Sequence, residues 1–141
     1  MSLKMQRDEL QRFLGREFPQ VSDEFTIEEV NDKEITVRMH VSDQNLRPGG
    51  TVSGPSIFTL ADVAVYLGIL ANIGPEALSV TTNGSIDFMH KPKANTDLIG
   101  KARLLKLGRV LAVGDVLIYS DGMADPVARA SMTYSIPPKR T

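Results

Sequence analysis

A single carboxylate in a long apolar stretch is the feature of this 141-residue sequence best suited to chemistry. Asp62 is the one charged side chain in residues 48–75, and small or aliphatic residues flank it on both sides. Such a carboxylate can act as a general base or as a nucleophile. It can also accept hydrogen bonds from neighbouring Ser or Thr side chains and serve the structure alone. Both hypotheses stay open at this point.

A helix start precedes this carboxylate. Gly54, eight residues before Asp62, lies in the tripeptide "SGP". Proline needs no amide donor in a first helical turn, and a neighbouring Gly or Ser can leave backbone N–H groups open for a ligand. Such groups at the positive end of a helix dipole favour negative charge. Because a Gly-Pro pair more often marks only a helix start, the functional interpretation of Gly54 depends on Asp62.

Apolar periodicity predicts the elements that position these two residues. They are a short amphipathic helix over residues 3–18, strands over 25–30 and 34–41, a long apolar helix from 53 to about 72, and strands over 79–90, 98–107, 110–120 and 127–136. A strand of ten residues spans roughly 33 Å and a helix of eighteen roughly 27 Å, so the two match in length. The sequence therefore predicts one α+β domain over residues 1–141, in which a curved antiparallel sheet wraps the long helix.

Composition narrows the class of partner. Charged residues make up 23% of the chain and nearly balance at a net charge of −1, which argues against binding to nucleic acid or to an anionic membrane. With no cysteine and two histidines far apart, a metal site is not expected. A charge at mid-membrane costs about 2.5–3.5 kcal/mol, so we interpret the helix around Asp62 as buried in protein. The N-terminus does not resemble a signal peptide, and a cytoplasmic location is expected.

Four segments of the chain carry a family resemblance, and they are "TVSGPSIFTLADVA", "TTNGSIDFMHKP", "LGRVLAVGDVLIYSDG" and "VARASMTYSIP". They resemble the hotdog-fold thioesterases of the phenylacetate-degradation (PaaI-like) type, and the match covers residues 45–137. The family places His-Gly-Gly at the start of the long helix, with a catalytic Asp or Glu eight residues after the first glycine. Gly54 and Asp62 occupy these positions, whereas Ser53 and Pro55 replace the histidine and the second glycine.

The resemblance implies a hotdog fold and an acyl-CoA thioesterase. Hydrolysis of a thioester needs a donor that holds the developing negative charge and a group that delivers or is the nucleophile. The resemblance assigns the first role to the Gly54 N–H and the second to Asp62, as base or nucleophile. The coenzyme A moiety is then part of the substrate, and no separate cofactor is expected.

A hydroxyl on the strand after the long helix completes the implied catalytic set. The family's Ser or Thr that holds the attacking water falls on Thr82, with Thr81 as the alternative. Thr82 is expected to point at the helix, because strand residues two apart share a face and Val80, Ile86 and Phe88 are apolar.

Further residues are candidates for contact with the substrate. Arg47 stands where the family commonly has Asn or Gln, and Asn45 is close by. Phosphates of coenzyme A favour Lys and Arg side chains. The remaining candidates are Ser53, Phe58, Tyr66, Thr81, Asn83, His90, Lys91 and Arg109.

The distance between Gly54 and Asp62 indicates a site made by two chains. Eight helical residues separate them by roughly 12 Å, which is too far for both to touch one thioester. Two antiparallel helices from two subunits could bring the groups together, and the resemblance implies this homodimer, with two equivalent sites. Apolar residues on both faces of residues 110–118 leave room for two dimers to pair into a tetramer.

Two other functions stay open. The domain could bind acyl-CoA without turnover, since Ser53, Pro55 and Arg47 depart from the family pattern. It could also be a dehydratase or hydratase of acyl thioesters, although that chemistry usually needs a histidine at the position of Ser53.

Overall fold

The computed structural model describes residues 3–76 and 78–138. Its helices and strands follow in the predicted order, and they are α1 (Arg7–Glu17), β1 (Phe25–Val30), β2 (Glu34–Met39), α2 (Gly54–Ile73), β3 (Val80–Phe88), β4 (Leu98–Leu107), β5 (Leu111–Ser120) and β6 (Ala128–Ser135). The largest difference from the prediction is at α1, which begins at Arg7 rather than at residue 3. Gln6 caps this helix in a capping box with Glu9.

The six strands form one antiparallel sheet in the order β1-β2-β4-β5-β6-β3, so β1 and β3 are its edges. Helix α2 packs against one face of this sheet. Its most extensive contacts are with β4, and it also contacts β2, β5, β6 and β3. The long helix, the sheet that wraps it and the N-terminal helix confirm the predicted hotdog fold.

Helix α2 is the centre of the core. Every residue from 64 to 71 is buried. The helix has the length and apolar composition of a membrane span, with a mean hydropathy of 1.7, yet it packs inside the sheet as predicted. Two strand glycines allow its close approach. A Cβ on Gly114 would lie 3.1 Å from Cγ1 of Val65, and one on Gly100 would lie 3.2 Å from Cγ of Leu60.

This close approach predicts the effect of Gly114→Ala. The new methyl group would meet the Val65 side chain and the backbone oxygen of Arg103, 3.2 Å away, so we expect the free energy of unfolding to fall by about 1–3 kcal/mol. Gly15→Ala in α1 is the matched control, since a Cβ there meets nothing within 4 Å. It should raise the stability by about 0.5–1 kcal/mol. Urea denaturation measures both, and equal effects would contradict the packing argument.

The edge strand β3 carries exposed apolar side chains. The exposed fraction is 54% for Val80 and 55% for Phe88, and Leu78 and Met89 beside the strand are exposed as well. The neighbouring face of α2 is only partly covered, since Phe58, Asp62 and Val63 are partly exposed. One flank of the chain, made of β3 and the first half of α2, therefore presents apolar surface next to Asp62.

Candidate functional site

Two hydroxyl groups hold one oxygen of the Asp62 carboxylate. The Thr81 hydroxyl donates to Oδ1 at 2.7 Å, and the Tyr134 hydroxyl donates to the same oxygen at 2.8 Å. The Tyr134 hydroxyl also lies 3.2 Å from the backbone oxygen of Asp62. Within residues 3–76 and 78–138, no group donates a hydrogen bond to Oδ2. The carboxylate is therefore fixed through one oxygen, while the other has no donor from this part of the chain.

Strand pairing places both donors beside the helix. Thr81 of β3 pairs directly with Tyr134 of β6, so the two side chains lie on one face of the sheet. Tyr134 is buried, with 4% of its surface exposed. Burial and the negative charge of Asp62 raise the pKa of Tyr134 well above its ordinary value. The tyrosine therefore stays protonated and remains a donor at physiological pH.

A second tyrosine extends the buried surface behind this site. The ring of Tyr66 lies 6.0 Å from that of Tyr134 and 5.7 Å, edge to face, from that of Phe18 in the segment after α1. Burial raises the pKa of Tyr66 to about 12, and the negative charges of Glu17 and Glu76 act in the same direction. Tyr66, a predicted substrate contact, thus lies beside the tyrosine that holds Asp62.

The prediction that Thr82 points at the helix is wrong. The Thr82 hydroxyl donates to the backbone oxygen of Thr133 at 3.3 Å and makes no bond to Asp62. The reason is a bulge in β3, where Thr81 pairs with Tyr134 and Asn83 with Thr133, so Thr82 is an extra residue in the ladder. The bulge shifts the alternation by one residue and turns Thr81, the alternative, toward the carboxylate. A sequence pattern of period two could not show it.

The start of α2 presents an open backbone donor. Ser53 is the N-cap, and its Oγ accepts a hydrogen bond from the Ser56 N–H at 3.3 Å. The Gly54 N–H has no acceptor among the described residues. A Cβ on Gly54 would lie 3.3 Å from Cζ of Phe88, so the glycine admits this ring at the helix start. Ser53, which stands where the family has histidine, therefore caps the helix, and the next amide is free.

Asn45 has a structural role in this structure. It is 4% exposed, and its Nδ2 donates to Oε1 of Glu24 and to Oγ of Ser56, both at 3.3 Å. Its Oδ1 accepts from the Ser42 N–H at 2.9 Å, and its backbone oxygen accepts from the Ser53 N–H at 2.7 Å. Asn45 thus ties the preceding loop to the helix start, and its contact with a substrate stays a prediction.

An open groove of about 700 Å³ lies beside the Gly54 amide. Gly54 and Phe88 line it together with Arg47, His90 and Lys91, of which the last three are exposed. His90 donates from Nδ1 to the backbone oxygen of Pro126 at 2.9 Å. A larger depression, of about 890 Å³, lies on the outer face of the sheet and contains none of the predicted site residues. The groove at the helix start therefore gathers the predicted basic contacts, with the exception of Arg109.

Three predicted contacts lie elsewhere. Arg109 is exposed in the turn between β4 and β5, and Asn83 is exposed on β3. Phe58 packs over β3, where a Cβ on Gly84 would lie 3.0 Å from its ring. In one chain the site is thus divided into two parts. Asp62 with its two hydroxyl donors forms one, and Gly54 with its groove forms the other, roughly 12 Å along the helix.

Tyr134 is the site residue that the sequence analysis missed. The period of two in the last strand predicts it as an ordinary member of the buried face. A buried tyrosine hydroxyl nevertheless needs a hydrogen-bond partner. In a chain whose long helix holds a single carboxylate, that requirement was a signal toward Asp62.

Comparisons with known proteins bear on the family and the fold. The sequence model of the thioesterase superfamily matches residues 49–127, which is more than half of the chain. The structure is similar to that of a candidate thioesterase from Silicibacter sp. TM1040, with 59% identity, coverage of 98% of this chain and 96% of that chain, and a TM-score of 0.92. The search of curated proteins finds no match.

More distant structures share the fold. Zebrafish thioesterase superfamily member 2 is 22% identical, with coverage of 94% of this chain and 99% of that one and a TM-score of 0.82. A hypothetical thioesterase from Streptococcus pneumoniae TIGR4, solved with coenzyme A, is 24% identical, with coverage of 94% and 99% and a TM-score of 0.76.

Proposed function

The chain belongs to the thioesterase superfamily, and on that premise we propose that it hydrolyses an acyl-CoA thioester to a free acid and coenzyme A. The observation that carries the proposal is the Asp62 carboxylate, fixed through one oxygen in a partly exposed position on the same helix as the open Gly54 N–H. The coenzyme A bound to the Streptococcus pneumoniae protein supports coenzyme A as the thiol part of the proposed substrate.

The chemistry divides between these two groups. The Gly54 N–H donates to the carbonyl oxygen of the thioester as negative charge develops there. Acting as a base, Asp62 takes a proton from water while the water oxygen bonds to the acyl carbon. The carbon–sulfur bond then breaks, and the proton passes to the departing thiolate. Acting as a nucleophile, Asp62 itself bonds to the acyl carbon and expels the thiolate, and water then hydrolyses the anhydride.

The proposed site is shared between two subunits. Because Gly54 and Asp62 of one chain lie roughly 12 Å apart, each complete site needs the helix start of another copy. The exposed apolar side chains of β3 and the partly covered face of α2 supply a surface for that copy, next to Asp62. Two copies related by a two-fold axis would form two equivalent sites. Pairing of dimers into a tetramer stays a prediction.

The PaaI-like type, the cytoplasmic location and the absence of a cofactor also stay predictions. Binding of acyl-CoA without turnover is the second candidate function, and the role of Ser53 supports it. Ser53 serves as a helix cap, so the histidine that the family has at this position is replaced by a residue already engaged with Ser56.

Release of coenzyme A thiol tests the proposed function. The purified protein is incubated with short, medium, long and aromatic acyl-CoA esters, and free thiol is measured with a chromogenic reagent. We expect release from at least one class. If no ester yields thiol while acyl-CoA still binds in calorimetry, the protein is a binding module.

The basic side chains of the groove predict that their loss changes the KM for substrates with a nucleotide and not for substrates without one. Arg47→Ala combined with Lys91→Ala should raise the KM for an acyl-CoA by about 2- to 10-fold, because exposed cations contribute modestly to binding of phosphates. The KM for the matching N-acetylcysteamine thioester, which lacks the nucleotide, should not change. Lys101→Ala on β4 is the control. Equal effects on both thioesters would contradict a contact between this groove and the nucleotide.

A further inference from the structure

The hydrogen bonds of Asp62 distinguish its two carboxylate oxygens. Oδ1 accepts from Thr81 at 2.7 Å and from Tyr134 at 2.8 Å, whereas Oδ2 receives no donor from the residues that the structure describes. Hydrogen bonds to a charged oxygen are among the stronger ones in proteins. Two such bonds on one oxygen leave the carboxylate little freedom to rotate about its Cβ–Cγ bond.

We propose that Tyr134 is a positioning residue for the hydrolysis, which together with Thr81 holds Oδ1 and directs Oδ2 as the reacting oxygen. This inference rests on the proposed thioesterase function. Oδ2 would then take the proton of the attacking water, or bond to the acyl carbon, in either form of the mechanism. Oδ1 keeps its two donors throughout.

The position of Tyr134 suits this role. It is buried and comes from β6, while Thr81 comes from β3 and Asp62 from α2, so three separate elements meet at one oxygen. Burial and the neighbouring charge raise the pKa of Tyr134, which keeps its hydroxyl proton available for donation. Its ring is fixed by the sheet behind it and by Tyr66 beside it. A donor held in this way gives the carboxylate a single orientation.

Tyr134→Phe tests the proposal, because it removes the hydroxyl and keeps the ring. We expect kcat to fall on the order of 10- to 100-fold while KM stays within twofold. A residue with only a structural role would instead change the melting temperature and leave kcat per folded molecule unchanged. Tyr119→Phe on β5 is the matched control, since Tyr119 lies on a different part of the sheet and touches Lys101.

A second pair of variants covers the case in which Tyr134→Phe folds poorly. Thr81 is exposed on an edge strand, so Thr81→Val should fold, and it should lower kcat as Tyr134→Phe does. Thr81→Ser, which keeps the donor, should retain near wild-type kcat. The proposal is overturned if Tyr134→Phe keeps wild-type kcat, or if Thr81→Val and Thr81→Ser behave alike. Failure of the thioesterase function itself is distinguishable, because wild-type protein would then release no thiol.

Discussion

Asp62→Asn is expected to remove thiol release while leaving the fold intact. The loss should be about 10²- to 10⁴-fold in kcat, because an amide is neither a base nor a nucleophile at neutral pH. The amide oxygen of asparagine can still accept the hydrogen bonds from Thr81 and Tyr134, so the local structure has no unpaired hydroxyl. Thiol release under saturating acyl-CoA measures the loss, and circular dichroism checks the fold.

Asp87→Asn is the matched control for this change. Asp87 lies on β3 and pairs with Arg129 at 2.9 Å, with both side chains well exposed. A surface pair of this kind contributes little, and activity should stay at the wild-type level. An active Asp62→Asn enzyme would show that the carboxylate serves the structure alone, by accepting hydrogen bonds from Thr81 and Tyr134.

The second large effect is expected from mixing two inactive variants. Gly54→Pro removes the proposed oxyanion donor, which should lower kcat by about 10²- to 10³-fold. Ser53 already has the extended conformation that a residue before proline favours, with φ −72° and ψ 153°. In a heterodimer of Gly54→Pro with Asp62→Asn, one site combines the intact Gly54 and the intact Asp62, and the other carries both changes. Heterodimers purified through two different tags should thus regain about half of the wild-type activity.

The steric effect of the new ring has its own control. Gly54→Ala keeps the N–H and adds a Cβ at 3.3 Å from the Phe88 ring, which is exposed enough to move. It should therefore stay much more active than Gly54→Pro. If purified heterodimers show no recovery over either parent, Gly54 and Asp62 of different chains do not form one site.

Most of the fold was predictable because the segments are strongly periodic. β1 and β4 occur with the predicted boundaries, and α2 differs from its predicted limits by about one residue at each end. The start of α1 was misplaced because the apolar residues near the N-terminus are not helical. Met5 is buried, and the N–H of Lys4 donates to the backbone oxygen of Ala71 at 2.8 Å. A contact with the distant end of α2 leaves no periodic pattern in the sequence.

The site was predictable where it depends on spacing within one element, and not where it depends on contacts between elements. Gly54 and Asp62 lie on one helix, so their separation follows from the sequence. The partners of Asp62 come from two strands, and their identity depends on the register and on a bulge. The contacts of Asn45 were not predictable for a similar reason, because its amide is engaged with Glu24, which precedes it by 21 residues.

The extra residue in β3 also affects how this chain should be aligned with its relatives. The family resemblance leads to Thr82, but the hydroxyl that reaches the carboxylate belongs to Thr81. A relative without the bulge would present the same chemistry one column away, so an alignment without a gap would pair residues that face opposite sides of the strand. For this strand, the number of residues between its two ends carries functional information that residue identity does not.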